Sequence, residues 1–299
     1  MPFDTHQLAA LSAVLRLGSF DAAAAALRVT PSAVSQRIKA LEESIGTTLV
    51  HRAQPCTGTD MGKRLAKHAE DVALLEANAL AGLADQQGAA PRVSLAVPAD
   101  SLATWLIPAL AQVEGLYFDL VLDDQDTSDE WLRRGAVSAA VTGHARAAPG
   151  CDVHALGNLR YVATASPAFM DRHFDGAFTL PALAQAPMLV FNPKDRLQHR
   201  WAEAQGATRF HPPIHQLPSS HGFVDAALCG LGWGMNPLSL VQEHLARGTL
   251  VALVPNAPLD VPQYWQVTRV MAPALKRLTT AVQKTAQDSL NPPDEKPMS

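Results

Sequence analysis

The stretch SFDAAAAALRVTPSAVSQRIKALEE, residues 19–43, decides how the amino-terminal part of this chain folds. It reads as two short helices around a tight turn. Ser19 can cap the first helix and Asp21 suits its positive end. The alanines at 22–26 leave that helix nearly bare, so a second helix can cross close against it. Arg28, Val29 and Thr30 form the turn; Thr30 then caps the second helix and Pro31 takes its first position, where a missing N–H costs nothing. Ala33, Val34, Ile38 and Leu41 make one apolar stripe. Ser32, Ser35, Gln36 and Lys39 project elsewhere, with Arg37 beside them. A small, polar, cationic face near a helix N-terminus suits a DNA major groove.

A helical hairpin with merely solvated polar residues would share this pattern, and the flanking sequence separates the two readings. Leu8, Leu11, Val14, Leu15 and Leu17 predict an apolar helix just before it. Ile45 and Gly46 end the second helix, and residues 48–52 read as a short strand leading to a turn at Pro55. Helix, helix–turn–helix, then wing is a winged-helix arrangement.

With these residues in place, the chain resembles the LysR-type transcriptional regulators. The resemblance is carried by Gly18-Ser19-Phe20, residues 22–27, Ser32-Ala33-Val34-Ser35, Ile38, Leu41-Glu42, Gly46, Leu49, Arg52 and Thr59-x-x-Gly62. It implies that the second helix of the motif enters the major groove and that the wing meets the backbone. The DNA-contacting residues it implies are Pro31, Ser32, Ser35, Gln36, Arg37 and Lys39, with Arg52 in the wing. Val50 stands where the family commonly has Phe, and Thr57-Gly58-Thr59 is an unusual approach to the following helix.

The bulk composition sets bounds on the rest. With 299 residues the chain has room for more than one domain. Hydrophobic residues make up 47% and no apolar run approaches a membrane span, which predicts a cytoplasmic globular protein without a signal peptide. Cys56, Cys151 and Cys229 are far apart with no CxxC, so they read as reduced and structural, Cys229 in the core, and no metal site is expected. A net charge of −4 does not advertise a nucleic-acid binder. Within residues 1–60, Arg16, Arg28, Arg37, Lys39 and Arg52 are balanced by Asp4, Asp21, Glu42, Glu43 and Asp60. The DNA reading therefore rests on where charge is placed, and modest charge implies few phosphate contacts and a need to dimerise. Lys63, Arg64 and Lys67 add positive charge beyond the wing.

The expected domains are 1–58, the winged helix–turn–helix; 59–88, a linker and dimerisation helix; 89–290, an effector domain of two α/β lobes; and 291–299, a disordered tail. Continuous helix over 59–87 would be roughly 44 Å long. Leu65, Ala69, Val72, Leu75 or Glu76, Ala79 and Leu83 recur near the period of a two-stranded coiled coil, which would set two recognition helices on two half-sites; a helix packed on its own domain would show the same periodicity, and the family resemblance favours the dimer. After a hinge at 86–91, strands near 93–97, 118–122 and 138–141 alternate with helices near 102–113 and 128–134. That alternation predicts a mostly parallel, covered sheet. Residues 160–164 cross into a second lobe, with a strand at 188–191 and helices at 167–173, 197–204 and 222–229. Residues 250–254 are expected to return to the first lobe, and 267–270 with a helix at 274–287 to close it. The family resemblance implies an effector domain like a periplasmic binding protein, with the ligand between the lobes, and tetramers built from two dimers.

Residues 94–110 run from strand to helix with Asp100, Ser101 and Thr104 at the junction. Free N–H groups and the helix dipole suit a carboxylate there, while Asp100 could meet an ammonium group or simply cap the helix. This stretch, with Gln36-Arg37-Ile38-Lys39, Leu132-Arg133-Arg134-Gly135 and Ser219-Ser220-x-x-Phe223-Val224, resembles the lysine/arginine-responsive ArgP/LysG (IciA) branch of the family. That resemblance implies a lysine or arginine effector and control of basic amino-acid export or related genes. Asp123, Asp124 and Asp126 follow the second strand; an acidic cleft wall prefers a cation, and an acidic loop can equally be solvated. Thr142, His144, Ser219 and Ser220 lie where they could orient the ligand. The effector-binding set is thus Asp100, Ser101, Thr104, Asp124, Thr142, His144, Ser219 and Ser220.

No nucleophile elbow, P-loop or dinucleotide fingerprint is present, so neither catalysis nor a cofactor is expected. Gly230-Leu-Gly232-Trp-Gly234 follows a helix, whereas a dinucleotide loop follows a strand; it reads as a helix end running into a strand. The partners implied are promoter DNA, a small effector, a second copy of the chain and RNA polymerase. Two other readings stay open: a regulator of the same type with a different effector, and a nucleoid or replication-associated DNA binder of loose sequence choice.

Overall fold

The computed structural model describes residues 3–80, 90–123, 128–208 and 210–292. Helix α1 (Thr5–Leu17) starts at Asp4, whose carboxylate accepts from Gln7 N at 3.0 Å. Helices α2 (Phe20–Leu27) and α3 (Pro31–Ile45) follow, capped by Ser19 and Thr30. Their hydroxyls accept from Ala22 N at 3.4 Å and Ala33 N at 3.2 Å. Ala23 and Ala24 are buried, which lets Val34, Ile38 and Leu41 of α3 reach Leu8, Leu11 and Val14 of α1 in one core. The wing is narrower than the expected 48–52 strand: β1 (Val50–His51) pairs antiparallel with β2 (Thr57–Gly58). Val50 is buried in this core.

Helix α4 (Asp60–Ala79) leaves the wing. The expected coiled-coil seam is only partly free, because Leu65 is buried in the winged-helix core and Ala69 packs on it. Covering Leu65 and Ala69 with the chain's own domain satisfies their apolar surface without a partner. Further along, Leu75 and Leu80 stay exposed, while Leu74 is buried with the effector domain. Leu83 and positions 86–89 of the expected hinge lie outside the described residues.

The effector domain opens with β3 (Arg92–Pro98), flanked in parallel by β4 (Tyr117–Asp123) and β5 (Ala139–Thr142). From β3 the chain runs through α5 (Ala99–Ser101), a π-helical turn over Leu102–Leu106, and α6 (Ile107–Ala111). Pro108 has no N–H to complete an ordinary helical ladder, and the wider turn lies just before it. Helix α7 (Ser128–Arg133) precedes β5. Strand β6 (Cys151–Ala165) is the crossing strand. The second lobe contains α8 (Pro167–Phe174), α9 (Leu180–Leu183), β7 (Met188–Val190), α10 (Leu197–Ala204), β8 (Ile214–Gln216), α11 (Ser220–Leu228), β9 (Gly234–Pro237), α12 (Leu238–Arg247) and β10 (Val251–Ala252). The chain returns on β11 (Leu259–Thr268) and ends on α13 (Lys276–Ser289).

The main sheet has the order β10-β6-β11-β5-β3-β4, with β9 also on β6, and β7 pairs β8 in parallel. This is a mixed sheet, not the mostly parallel one expected. Its parallel part is β4-β3-β5, and β11 runs antiparallel to both β5 and β6. The expected return at 250–254 is corrected too. Val251 and Ala252 pair with Ala165 and Thr164 and stay with the second lobe, and β11 makes the return. Gly230, at φ 71°, ends α11, so the glycine-rich stretch does run from a helix into a strand. Cys229 is exposed at that helix end, not in the core. Asn291 and Pro292, expected in the tail, are instead held to the domain. Asn158 and Asn291 exchange backbone hydrogen bonds at 2.8 and 3.0 Å, and Asn158 Nδ2 donates to Pro292 O.

Candidate DNA-binding face and effector cleft

The capping that starts α3 leaves its first turns uncovered. Pro31, Ser32, Gln36 and Lys39 are exposed, and Ser35 and Arg37 half-buried. Lys39 Nζ lies 3.7 Å from Glu43, an exposed pair that costs little to break. Arg52 leaves the wing with its guanidinium over the Phe20 ring, 5.1 Å from the centroid, which ties the wing to α2. Three further residues fix that wing. Glu42 Oε1 accepts from Leu49 N at 2.7 Å and Val50 N at 3.3 Å. Thr59 Oγ1 donates to Thr48 O and accepts from Gly62 N. At Gly62 a Cβ would stand 2.0 Å from Leu49 O, so α4 can approach the strand only with glycine there.

The cleft is built from strand ends and helix starts. Asp100, in the short α5 that follows β3, shares a small cavity of about 20 Å³ with Phe191, Asp195, Leu197, Ser220, Phe223, Met235, Asn236 and Pro237. Tyr161, on the crossing strand, donates its hydroxyl to Asp100 Oδ2 at 2.7 Å. Burial pushes the Asp100 carboxyl above the usual carboxylate range; Ser220 and Tyr161 pull it back, and the charge of Asp195 adds to the rise. Asp100 as a residue is only half-buried, its carboxyl being the desolvated end. Asp195 is better satisfied: its carboxylate accepts from Phe191 N, Leu197 N and Gln198 Nε2. Ser220 sits in the first turn of α11, capped by Ser219, whose Oγ accepts from Gly222 N at 3.1 Å. The Ser220 hydroxyl lies beside Asp100 short of a well-formed hydrogen bond. Ser220 Oγ and Asn236 Oδ1 are buried, with no hydrogen-bond partner of good geometry among the described residues.

Of the residues expected to hold an effector, the structure therefore brings Asp100 and Ser220 together. Ser101 is fully buried and donates to Gln263 Oε1 at 2.9 Å, a bond between helix and return strand. Thr104 Oγ1 donates to Asp100 O at 2.6 Å and supports the helix from within. Thr142 Oγ1 accepts from Gln266 Nε2 at 3.0 Å and donates to the half-buried His144's carbonyl. Ser219 is exposed and its hydroxyl caps α11. Ser101, Thr104, Thr142, His144 and Ser219 do not line the Asp100 cavity. Asp124 lies outside the described residues. Asp195, Tyr161 and Asn236 were missed. Asp195 carried a usable signal, since it lies between the expected strand at 188–191 and the expected helix at 197–204.

A third cluster joins the two parts of the chain. Lys67, buried on α4, donates to Ser138 Oγ at 2.7 Å and to Asp71, and Ser138 Oγ donates to Asp71 Oδ1 at 3.1 Å. Ser94 Oγ donates to Glu70 Oε2 at 3.0 Å, and burial holds the Glu70 carboxyl above its ordinary range. Ser138 directly precedes β5, whose other end is Thr142.

Comparison with known proteins agrees with this architecture. The model of the bacterial regulatory helix-turn-helix proteins of the lysR family matches residues 5–63, and that of the LysR substrate binding domain matches 86–287. The HTH-type transcriptional regulator LysG of Mycobacterium tuberculosis is 44% identical over 284 residues, 95% of this chain and 93% of that protein. The crystal structure of ArgP from the same organism superposes with a TM-score of 0.77 at 42% identity, covering 97% of this chain and all (100%) of that one. Full-length LysG from Corynebacterium glutamicum, solved with bound effector Arg, gives 0.65 at 36% identity, with coverage of 97% and 100%. A helix–turn–helix with its wing, a linker helix and a two-lobed effector domain, matched over nearly their whole length, place this chain in the LysR family of transcriptional regulators, related to LysG and ArgP.

Proposed function

We propose that this regulator senses a basic amino acid, arginine or lysine, and controls genes of basic amino-acid export or metabolism. The observation that carries the reading is the cavity around Asp100: two carboxylates line it, Asp100 and Asp195, and among the described residues no cationic side chain does. A buried carboxylate without a cation is costly, and an ammonium or guanidinium group supplies the missing charge. The first turn of α11, at Ser220, offers backbone N–H groups and a positive helix end to the ligand's carboxylate. Ser220 Oγ and Asn236 Oδ1 are available to bond its polar atoms. Support also comes from the relative of Corynebacterium glutamicum, which was solved with arginine bound as effector.

On the DNA side, Pro31, Ser32, Ser35, Gln36, Arg37 and Lys39 of α3 read the major groove, and Arg52 holds the wing against the backbone. The exposed Leu75 of α4 and Leu80 just after it pair two protomers, and dimers pair into tetramers. Effector binding favours one closure of the lobes, which changes the spacing of the recognition helices and the contact with RNA polymerase. The regulator works in the cytoplasm. The test is DNA binding at fixed salt, using a duplex selected from a random pool and an unrelated duplex, with and without amino acids. The reading predicts a specific-to-unrelated ratio of at least about 10³. It predicts that arginine or lysine, but not glutamine, shifts the specific affinity. A ratio near one, or an equal shift with glutamine, would contradict it.

A further inference from the structure

The winged helix carries modest positive charge for a binder of a polyanion. Of its five cations, Lys39 faces Glu43 and Arg52 is stacked on Phe20, which leaves Arg16, Arg28 and Arg37. A larger cationic surface begins just past the wing. Lys63 and Arg64 are exposed on α4, and a Cβ at Gly58 in wing strand β2 would lie 3.1 Å from Lys63 Cγ, so this surface is continuous with the wing. Opposite stand Arg133, the last residue of α7, and Arg134 just after it, both exposed in the effector domain, with half-buried Trp131 of the same helix also lining the groove. The two walls flank an open groove of about 860 Å³. Among the described residues its lining carries five cationic residues, Lys63, Arg64, Lys67, Arg133 and Arg134, and one acid, Asp60. Lys67 is spent on Asp71 and Ser138, and Arg133 has an interaction of its own. The Arg134–Glu130 pair at 3.0 Å is more than half exposed on both sides, so a phosphate can replace the carboxylate at little cost.

We propose that this groove is a second DNA site, which takes backbone phosphates of the duplex flanking the sequence that α3 reads. A duplex lying in it touches the linker helix and the effector domain of one chain together. Phosphate contacts would then report the position of the first lobe, not only that of the winged helix. The proposal rests on the DNA-binding reading above, and its test separates the two.

The test is the salt dependence of DNA affinity for the full-length wild type, R133Q/R134Q and R133K/R134K. Two duplexes are used, the selected site with long flanks and the same site trimmed to its half-sites. Each lost phosphate contact makes the slope of log K against log salt shallower by about 0.9. The expected result is a slope shallower by about 1 to 2 for R133Q/R134Q on the flanked duplex, unchanged on the trimmed one, and restored by R133K/R134K. Unaltered arginine titration shows that the variant is folded. An unchanged slope on flanked DNA overturns the proposal, as does an equal change on both duplexes, which would reflect bulk charge. Pyrophosphate binding that R133Q/R134Q abolishes while the DNA slope stays put would reassign the groove to small anions and also overturn it. Failure of the wild type to bind any DNA would instead sink the DNA-binding reading itself.

Discussion

Asp100 is a carboxylate kept where water is scarce, and this has a measurable cost. Burial first, then the charge of Asp195, raise its pKa in the folded protein. Folding therefore favours the neutral acid. The unfolded chain ionises this group near pH about 4, while the folded chain holds its proton to higher pH. Stability contributed by the neutral group is complete below the unfolded pKa and falls as pH rises through the folded one. Asp100→Asn is expected to melt above the ligand-free wild type at pH 7, with the difference vanishing as the pH approaches about 4. A constant difference across that range in thermal melts would show that ionisation is not its source. Gly62 is decisive for the opposite reason: it is defined by absence. Gly62→Ala sets a Cβ against Leu49 O, a backbone atom that cannot swing away, so a loss of about 1–3 kcal/mol is expected in denaturant unfolding.

Among the elements, α3 was the most legible in sequence, because everything that defines it is local. Thr30, Pro31 and the stripe of Val34, Ile38 and Leu41 lie within one turn of each other or repeat at helical spacing. Arg37→Ala is expected to weaken specific DNA binding by about 1–3 kcal/mol and leave arginine binding intact. Parallel anisotropy and calorimetry check this, and loss of both activities would mean misfolding. The strand-to-helix junction at Asp100 was legible for the same local reason, as was Ser220 at the start of α11. Tyr161 was not. Its role depends on the register of a 15-residue crossing strand with segments about a hundred residues away, and no local pattern encodes that. Two positions of the α4 seam are covered within the chain for a related reason. A heptad pattern states that a face is apolar, not which partner covers it, and α1 of the same chain covers Leu65 and Ala69.

At the scale of the whole molecule, strand β5 links the two halves of the mechanism. Ser138 before it holds Lys67 and Asp71 of the linker helix, and Thr142 at its far end meets Gln266 of the return strand. A shift of the first lobe on closure would reach α4 along this short strand. Ser138→Ala is expected to keep both affinities within about threefold while shrinking the arginine-linked change in DNA affinity, a coupling ordinarily worth about 5–150-fold. An undiminished coupling would place the route elsewhere. All of this depends on the effector being a cation held at Asp100. That claim is tested most directly by calorimetric titration of wild type and Asp100→Asn with arginine and with citrulline, its neutral near-isostere. The account predicts that wild type binds arginine and binds citrulline far more weakly, and that Asp100→Asn loses the arginine preference. Equal affinity for the two ligands, or an arginine preference that survives in Asp100→Asn, would contradict it.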